Sequence, residues 1–143
     1  MRWFSMPARD CASSAGHLDG GKTTESVLRQ LMAEPLFPVP VDIFTADVTF
    51  HDFTAGDTLA PADGVILRTA MLNHPQNATG YRVEFGGKSI CYVTDTEHFE
   101  DGPDKNILGL IEGADIVIYD STFSDAEYPR FRGWGHSTWE EGA

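Results

Sequence analysis

One apolar face at helical spacing follows the glycine-rich segment near the N-terminus. The stretch TTESVLRQLMAE predicts a helix from Thr23 or Thr24 to about Glu34, because its apolar residues fall on one side of a helix. Prolines at positions 35, 38 and 40 predict the end of this helix and a change to extended chain. The residues of the apolar face are Val27, Leu28, Leu31 and Met32.

Apolar runs typical of β-strands dominate the rest of the chain. VDIFTADVTFHDFT (41–54) predicts one or two strands, and VILRTAML (65–72) predicts a strand with a strong apolar run. YRVEF and KSICYVTD, joined by Gly86 and Gly87, predict a tight hairpin. ADIVIYD (114–120) predicts a buried strand that ends in a carboxylate.

Two further helices are predicted between and after these strands. DKNILGLIE is expected to form a short helix that begins at Asp104. Ser137 or Thr138, with a glutamate three residues on, predicts a capping box that opens a last helix. Together these elements predict a chain of the α/β (α+β) class.

Composition limits the classes of function. The chain has 143 residues, of which 41% are hydrophobic, enough for one globular domain with a core. Ten basic against 22 acidic residues give a formal charge of −12, which disfavours avid binding to DNA or long RNA. Cys11 and Cys91 are too few for a disulfide framework and predict a reducing compartment. No run is long enough to span a membrane and the N-terminus has no apolar leader core, so the cytoplasm is the expected location.

The octet GHLDGGKT, residues 16–23, matches the P-loop pattern G-x-x-x-x-G-K-S/T. In a P-loop, backbone N–H groups would hold phosphates, Lys22 would reach the outer phosphates and Thr23 would hold magnesium. The helix predicted after the loop and the strand-plus-aspartate IVIYD favour this interpretation. Against it, a P-loop leaves the end of a buried strand, and residues 1–15 show no strand-like run. A glycine-rich loop that opens a helix is the simpler interpretation, and a P-loop nucleotide binder (Gly16–Thr23) is the third of three hypotheses.

Polar residues stand at the ends of three predicted strands. His74 follows VILRTAML in LNHPQNATGYRVEF, and Asp95 ends the hairpin in YVTDTEH. Asp120 ends ADIVIYD, and His136 follows in GWGHST. Sheet proteins often place binding and catalytic groups in such positions. Simpler roles stay open for all four: turn residue for His74, turn caps for the two aspartates, and a loop residue before a helix for His136.

In this order and spacing, the segments resemble the metallo-β-lactamase superfamily and, within it, the ribonuclease Z-like phosphodiesterases. That branch shows L-x-H-P…G-Y-R-I/V, then G-D-T or S-D-T, then an apolar strand ending in H-E-A-T, then G-H-S-S/T. The resemblance implies that His74 and Asp95 bind metal, with Asp95 bridging two ions. It makes His136 the catalytic histidine and Asp120 the supporting acid of H-E-A-T. Tyr119 replaces the histidine of H-E-A-T, a departure that leaves the role of the acid intact.

The resemblance covers residues 17–143 and implies the αββα sandwich of that superfamily, represented by roughly its C-terminal half. Two family features are missing: the upstream H-x-H-x-D-H cluster, and a metal-binding histidine that would fall after Ala143. We therefore expect a partial domain, weakly active or inactive alone, with an apolar sheet face left open. Residues 1–16 do not resemble the family, and a shifted reading frame or a misplaced start is one hypothesis for them. His17 and His51 are expected to be structural or solvent-exposed. His98 lies near Asp95 in the chain, and an approach to the site is one interpretation, although a solvated surface position is the simpler one.

For the intact enzyme the resemblance implies two divalent metal ions, zinc first with manganese or iron as alternatives, and hydrolysis through a metal-activated hydroxide. His136 would donate a proton to the leaving oxygen while Asp120 holds its tautomer. Only a short hairpin separates Tyr81 from Asp95, without room for the tRNA-gripping arm of ribonuclease Z, so a small phosphodiester or similar anion is the expected substrate. Thioester or lactone substrates, and a homodimer of the intact protein, stay open. The second hypothesis is a non-catalytic truncated product or pseudoenzyme.

Overall fold

The computed structural model describes residues 11–12, 23–46 and 48–143. Contacts divide the chain into two compact units, Met1–Phe53 and Thr54–Ala143. Within the described residues, no helix combines the length and apolar character that a membrane crossing requires. His17 and most of residues 1–16, the segment that does not resemble the family, lie outside the described residues.

Helix α1 (Thr24–Leu31) of the first unit begins where the sequence predicts and ends three residues before Glu34. Thr23 and Ser26 form a reciprocal cap at its start. The Thr23 hydroxyl accepts a hydrogen bond from the N–H of Ser26 at 3.2 Å, and the Ser26 hydroxyl accepts one from the N–H of Thr23 at 3.0 Å. The cap satisfies donors that a helix otherwise leaves unpaired at its first turn.

The strands predicted over 41–54 are only partly present. Val41–Ile43 forms a single 3-10 turn instead of a strand. Among the described residues of this segment, only β2 (Phe50–His51) pairs as a strand, and it lies parallel to β1 (Cys11–Ala12). The prediction is wrong for the first part of the segment because a short apolar run does not by itself distinguish a strand from a helical turn.

The second unit is a five-stranded sheet with one helix packed against it. In chain order its elements are β3 (Thr58–Ala62), β4 (Val65–Leu72), β5 (Ala78–Phe85), β6 (Lys88–Val93), α2 (Lys105–Ile111) and β7 (Ile116–Tyr119). The strand order follows the chain, β3-β4-β5-β6-β7, and all neighbours are antiparallel except the parallel pair β6 and β7. α2 is the crossover that this parallel pair requires. The predicted hairpin is confirmed, and Gly86 and Gly87 form its turn with φ of +57° and +75°.

The core lies between α2 and one face of the sheet. Asp104 caps α2 as predicted, since its carboxylate accepts a hydrogen bond from the N–H of Asn106 at 2.7 Å. At the other end of α2, the Arg82 guanidinium donates to the carbonyl oxygens of Leu110 and Glu112 at 3.0 and 2.7 Å. Both ends of the helix are therefore fixed by polar contacts around an apolar cluster. That cluster consists of Leu72, Cys91, Val93, Ile107 and Leu110.

The opposite face of the sheet is apolar and exposed. Ile90 and Tyr92 of β6 pair with Ile116 and Ile118 of β7, and these four residues are 38–56% exposed. Their exposure agrees with the open sheet face expected of a partial sandwich. ADIVIYD does contain strand β7, but the prediction that this strand is buried is wrong, because β7 lies at the edge of the described sheet.

The prediction of a last helix after Ser137 or Thr138 is wrong, because residues 139–142 form turns. The expected capping contact does form, since the Thr138 hydroxyl accepts a hydrogen bond from the N–H of Glu141 at 3.3 Å. However, Thr138 also pairs with Phe123 in a parallel bridge, and Ser137 and Thr138 are fully buried. Tertiary contacts therefore hold this segment extended where local preference favours a helix.

Candidate functional site

The sheet brings the four predicted site residues to one edge. β4 and β6 run in the same direction, because each is antiparallel to β5, and β7 is parallel to β6. The carboxyl ends of these three strands therefore lie along one border of the sheet, which we call the edge, and His74, Asp95 and Asp120 follow the strands there. His136 reaches this edge from a later loop.

Asp120 connects three segments of this edge and is only 5% exposed. Its Oδ2 accepts hydrogen bonds from the N–H groups of Asp95 at 2.9 Å and Thr96 at 3.3 Å, and lies 2.8 Å from Nδ1 of His136. Its Oδ1 accepts from the N–H and hydroxyl of Thr122 at 3.2 and 2.7 Å. Both roles considered for Asp120, support of His136 and capping of the following turn, are thus present in the geometry.

The surroundings of Asp120 favour its ionised form. Burial by itself would raise the pKa of this carboxyl, but hydrogen bonds from His136 and Thr122 outweigh it and hold the pKa below its ordinary value. Because both carboxylate oxygens are occupied by donors of the protein, Asp120 orients its neighbours and has little capacity left to bind a metal. It therefore acts through the residues that it holds.

His136 presents one ring nitrogen to the site. Its Nδ1 donates to the ionised Asp120, which leaves Nε2 with a free lone pair. The side chain is 29% exposed, and its Nδ1 lies 4.0 Å from Oδ1 of Asp95. A histidine held in this way can accept or donate a proton at Nε2 without losing its orientation.

Asp95 occupies a backbone conformation that is uncommon for residues other than glycine, with φ of +60°. Its N–H is held by Asp120 while its own carboxylate is 60% exposed at the edge of the sheet. In this contact the main-chain N–H of Asp95 is the donor and the carboxylate of Asp120 is the cap, whereas the sequence suggests Asp95 itself as a turn cap. The exposed carboxylate next to a histidine has the donor chemistry of a metal ligand.

His74 is half-buried and faces His136, with ring centroids 6.1 Å apart in an edge-to-face arrangement. The N–H of Gln76 donates to Nδ1 of His74 at 3.2 Å, a contact that the turn role considered for this residue accounts for. In this arrangement the proton of the neutral ring is on Nε2. His74 would have to release Gln76 in order to bind a metal through either nitrogen.

The donor types at this edge fit a divalent metal ion, although the described residues supply few free donors. Asp95, Asp120 and His136 can place one donor atom each within 4.8 Å of one another. Asp120 and His136 are hydrogen-bonded to each other, so the donors with capacity left are the carboxylate of Asp95 and Nε2 of His136. His74 would join them only after it releases the N–H of Gln76. Carboxylate and imidazole are ordinary ligands of zinc, manganese and iron, and zinc normally takes about four donors.

Sequence reasoning missed two features of this edge. His98 is not a solvated surface residue as expected: its Nδ1 lies 2.8 Å from the buried hydroxyl of Ser137, and its ring packs on Tyr128 with centroids 4.3 Å apart. Glu97, which follows Asp95 by two residues, binds the loop that carries His136 through its carboxylate. No local pattern predicts either contact, because the partners lie thirty or more residues away in the chain.

The P-loop hypothesis falls mostly outside the described residues, since 16–22 are not among them. Thr23 is described, and its hydroxyl caps α1. The P-loop therefore stays a prediction. His51 is exposed on β2, as expected, in the first unit.

Comparison with known proteins gives one family and several structures. A family model described as the β-lactamase superfamily domain matches residues 15–143. The metallo-β-lactamase fold protein YhfI from Bacillus subtilis is similar over 66% of this chain and 35% of its own, with a TM-score of 0.53 and 17% identity. The short form of human tRNase Z is similar over 64% of this chain and 37% of its own, with a TM-score of 0.50 and 20% identity. Zn²⁺-bound PqqB from Methylobacterium extorquens is similar over 62% of this chain and 34% of its own, with a TM-score of 0.47 and 20% identity.

The likenesses to YhfI and to human tRNase Z show the fold. The chain spans about a third of the length of each of the three structures. No curated protein sequence matches the chain.

Proposed function

Because the chain belongs to the β-lactamase superfamily domain family and has the metallo-β-lactamase fold, we propose that it carries part of the active site of a metal-dependent hydrolase of small phosphodiesters. The resemblance to this superfamily and the mixed α/β fold, both predicted from the sequence, are confirmed. The likeness to human tRNase Z supports the ribonuclease Z-like branch.

The observation that carries the proposal is the hydrogen bond between His136 and the buried, ionised Asp120 beside Asp95. A carboxylate on Nδ1 stabilises the protonated imidazole and fixes its orientation. In that protonated form Nε2 carries a proton in place of its lone pair, and His136 would donate this proton to the leaving oxygen of the substrate. Asp120 is the positioning group in this step, since it contacts the imidazole and the backbone of Asp95.

His74 and Asp95 are the residues proposed to hold a divalent metal ion, with zinc expected and manganese or iron as alternatives. When bound, the ion supplies positive charge that neutralises the phosphodiester and activates the attacking water. The described residues offer fewer direct ligands than the four or so that zinc takes, so the proposal for the intact enzyme requires further donors, such as the H-x-H-x-D-H cluster that this sequence lacks. The intact enzyme is proposed to hold two such ions.

Two observations favour a small substrate over transfer RNA. Gly86 and Gly87 alone join β5 to β6, so the described hairpin carries no arm that could grip a large RNA. The formal charge of −12 opposes binding to a long polyphosphate chain. A small phosphodiester needs only local positive charge at the metal site.

A non-catalytic product or pseudoenzyme is the second candidate. The contact between Gln76 and His74 favours it, because the ring of His74 is already used in a local turn. The small number of free donors among the described residues points the same way. A cytoplasmic location and a homodimer of the intact protein remain expectations.

Zinc binding by the purified chain, measured by calorimetry and by metal analysis after dialysis, tests the proposal. We expect binding that His74→Ala and Asp95→Ala each weaken about tenfold or more, because each removes a direct ligand. His51→Ala and Asp125→Ala are controls of the same residue types, since both residues are exposed and neither is one of the four predicted site residues. Hydrolysis of bis(p-nitrophenyl) phosphate should then fall in His136→Ala without loss of zinc.

Three other outcomes would redirect the proposal. Zinc binding that persists unchanged in both ligand variants would refute the assigned site. Zinc binding without hydrolysis, in the wild type, would favour the pseudoenzyme. Magnesium-dependent ATP binding that is lost in Lys22→Ala would instead support the P-loop hypothesis.

A further inference from the structure

Glu97 connects the two loops that carry the site histidines. Its main-chain N–H donates to the carbonyl oxygen of Asn73 at 2.8 Å, and its carbonyl oxygen accepts from the Asn73 side-chain amide at 2.8 Å. Asn73 directly precedes His74. The backbone of Glu97 is therefore tied to the His74 loop by two hydrogen bonds.

The side chain of Glu97 binds the other loop. Its Oε1 accepts from the Tyr128 hydroxyl at 2.8 Å and from the N–H of Gly133 at 2.8 Å. Its Oε2 accepts from the N–H of Gly133 at 2.9 Å and from the N–H of Gly135 at 3.0 Å. Backbone N–H groups that converge on one carboxylate form a strong, charge-assisted contact.

The bound loop lies directly against His74. Gly135, which precedes His136, is buried, and a Cβ placed on it would lie 2.7 Å from Nε2 of His74 and 2.8 Å from Cδ of Pro75. The spacing between the two histidines thus depends on how closely this loop is held. Asp120 fixes the imidazole of His136 at its Nδ1, whereas Glu97 fixes the main chain one residue before it.

We propose that Glu97 is a positioning residue that sets the distance between His136 and His74 by holding the 133–135 backbone against the His74 loop. The catalytic importance of that distance rests on the proposed function, whereas the geometric effect does not. Glu97 contacts no reacting atom in this proposal. It acts through Gly135 on His136 and through Asn73 on His74.

Glu97→Gln tests the geometric effect, because the amide presents a donor where Gly133 and Gly135 also present donors. Glu127→Gln is the matched control, since among the described residues the Glu127 carboxylate hydrogen-bonds Ser124 alone, within its own turn, at 2.7 and 3.2 Å. The readout is the nuclear Overhauser effect between the ring protons of His74 and the α-protons of Gly135. We expect Glu97→Gln to lose at least half of its intensity with the amide shifts of β4 to β6 unchanged, and Glu127→Gln to retain it.

Tyr128→Phe provides a second variant that removes one donor to Glu97 and keeps the shape of the side chain. If Glu97→Gln does not fold, a weakened His74–Gly135 effect in Tyr128→Phe supports the proposal. Full intensity in Tyr128→Phe and in any folded Glu97→Gln protein overturns it. These results do not depend on metal or on turnover.

Kinetics provide a readout that a purely structural role would not move. In the phosphodiester assay, Glu97→Gln should lower kcat about tenfold or more, because small displacements of a catalytic group are costly, while KM stays within about twofold. Glu127→Gln should change neither constant. A wild-type chain that binds no zinc would refute the proposed metal site, while the Overhauser measurement would still decide the role of Glu97.

Discussion

Comparing Gly135→Ala with Gly133→Ala separates two contributions to stability. One is the steric cost of the close approach of the loop to His74, and the other is the cost of a left-handed backbone conformation. Gly133 is the matched control, because both glycines lie in the left-handed region, with φ of +82° at Gly133 and +85° at Gly135. Both also donate their N–H to Glu97. They differ in space: a Cβ on Gly133 meets nothing within 4 Å, whereas a Cβ on Gly135 overlaps His74.

The magnitudes follow from these two terms. An L-residue in the left-handed region costs about 1–2 kcal/mol, which both variants should lose from the free energy of unfolding. Forcing an extra methyl group into a packed position costs a further ~1–3 kcal/mol, which only Gly135→Ala should lose. Gly135→Ala should therefore be less stable than Gly133→Ala by about 1–3 kcal/mol.

Urea unfolding followed by circular dichroism measures both free energies on the same chain. Zinc affinity is the second measurement. Gly135→Ala should weaken it more than Gly133→Ala, because only the methyl group added at position 135 would displace His74. Equal stabilities and equal affinities for the two variants would refute the close approach of Gly135 to His74. A larger loss in Gly133→Ala would point to Glu97 as the dominant contact of the loop.

Three further predictions concern single side chains. Burial and the hydrogen bond to Glu97 raise the pKa of Tyr128 to about 12. Because the unfolded chain loses this proton at pH ~10, the free energy of unfolding should fall as the pH rises from ~10 to about 12. Tyr128→Phe should abolish this part of the fall in unfolding curves measured at alkaline pH. Asp120→Ala should lower the free energy of unfolding in urea by about 3 kcal/mol or more, because several buried donors lose their acceptor, and a loss below ~1 kcal/mol would contradict the connecting role of Asp120. Arg82→Ala should cost about 2 kcal/mol by removing the guanidinium donor from the carbonyl groups of Leu110 and Glu112 at the end of α2, whereas Arg68→Ala, whose side chain is 50% exposed, should cost less than ~1 kcal/mol; equal losses would contradict this difference.

Local patterns were sufficient for most of the second unit. The apolar run of β4, the glycine pair between β5 and β6, and the capping aspartate of α2 each predict an element that the structure contains. These signals succeed because each depends on residues close together in the chain. The same holds for the start of α1, where Thr23 and Ser26 cap each other.

Other elements depended on contacts that are distant in the chain. Ser137 and Thr138 have the local chemistry of a helix start, yet a bridge to Phe123 and complete burial keep them extended. The apolar composition of β7 predicts burial, yet its edge position leaves it exposed. Short segments with several compatible conformations are decided by their surroundings.

The sequence by itself determined the family, the order of the strands along the chain and the positions of His74, Asp95 and Asp120 at strand ends, because motif spacing and apolar periodicity are properties of the chain alone. Only the tertiary structure decided what those residues do to one another. It made Asp120 a buried acceptor that holds Asp95 and His136, and it introduced Glu97 as the connection between the two histidine loops. The physical reason is that a hydrogen bond depends on distances of about 3 Å, and the parallel alignment of strand ends sets those distances between residues far apart in sequence.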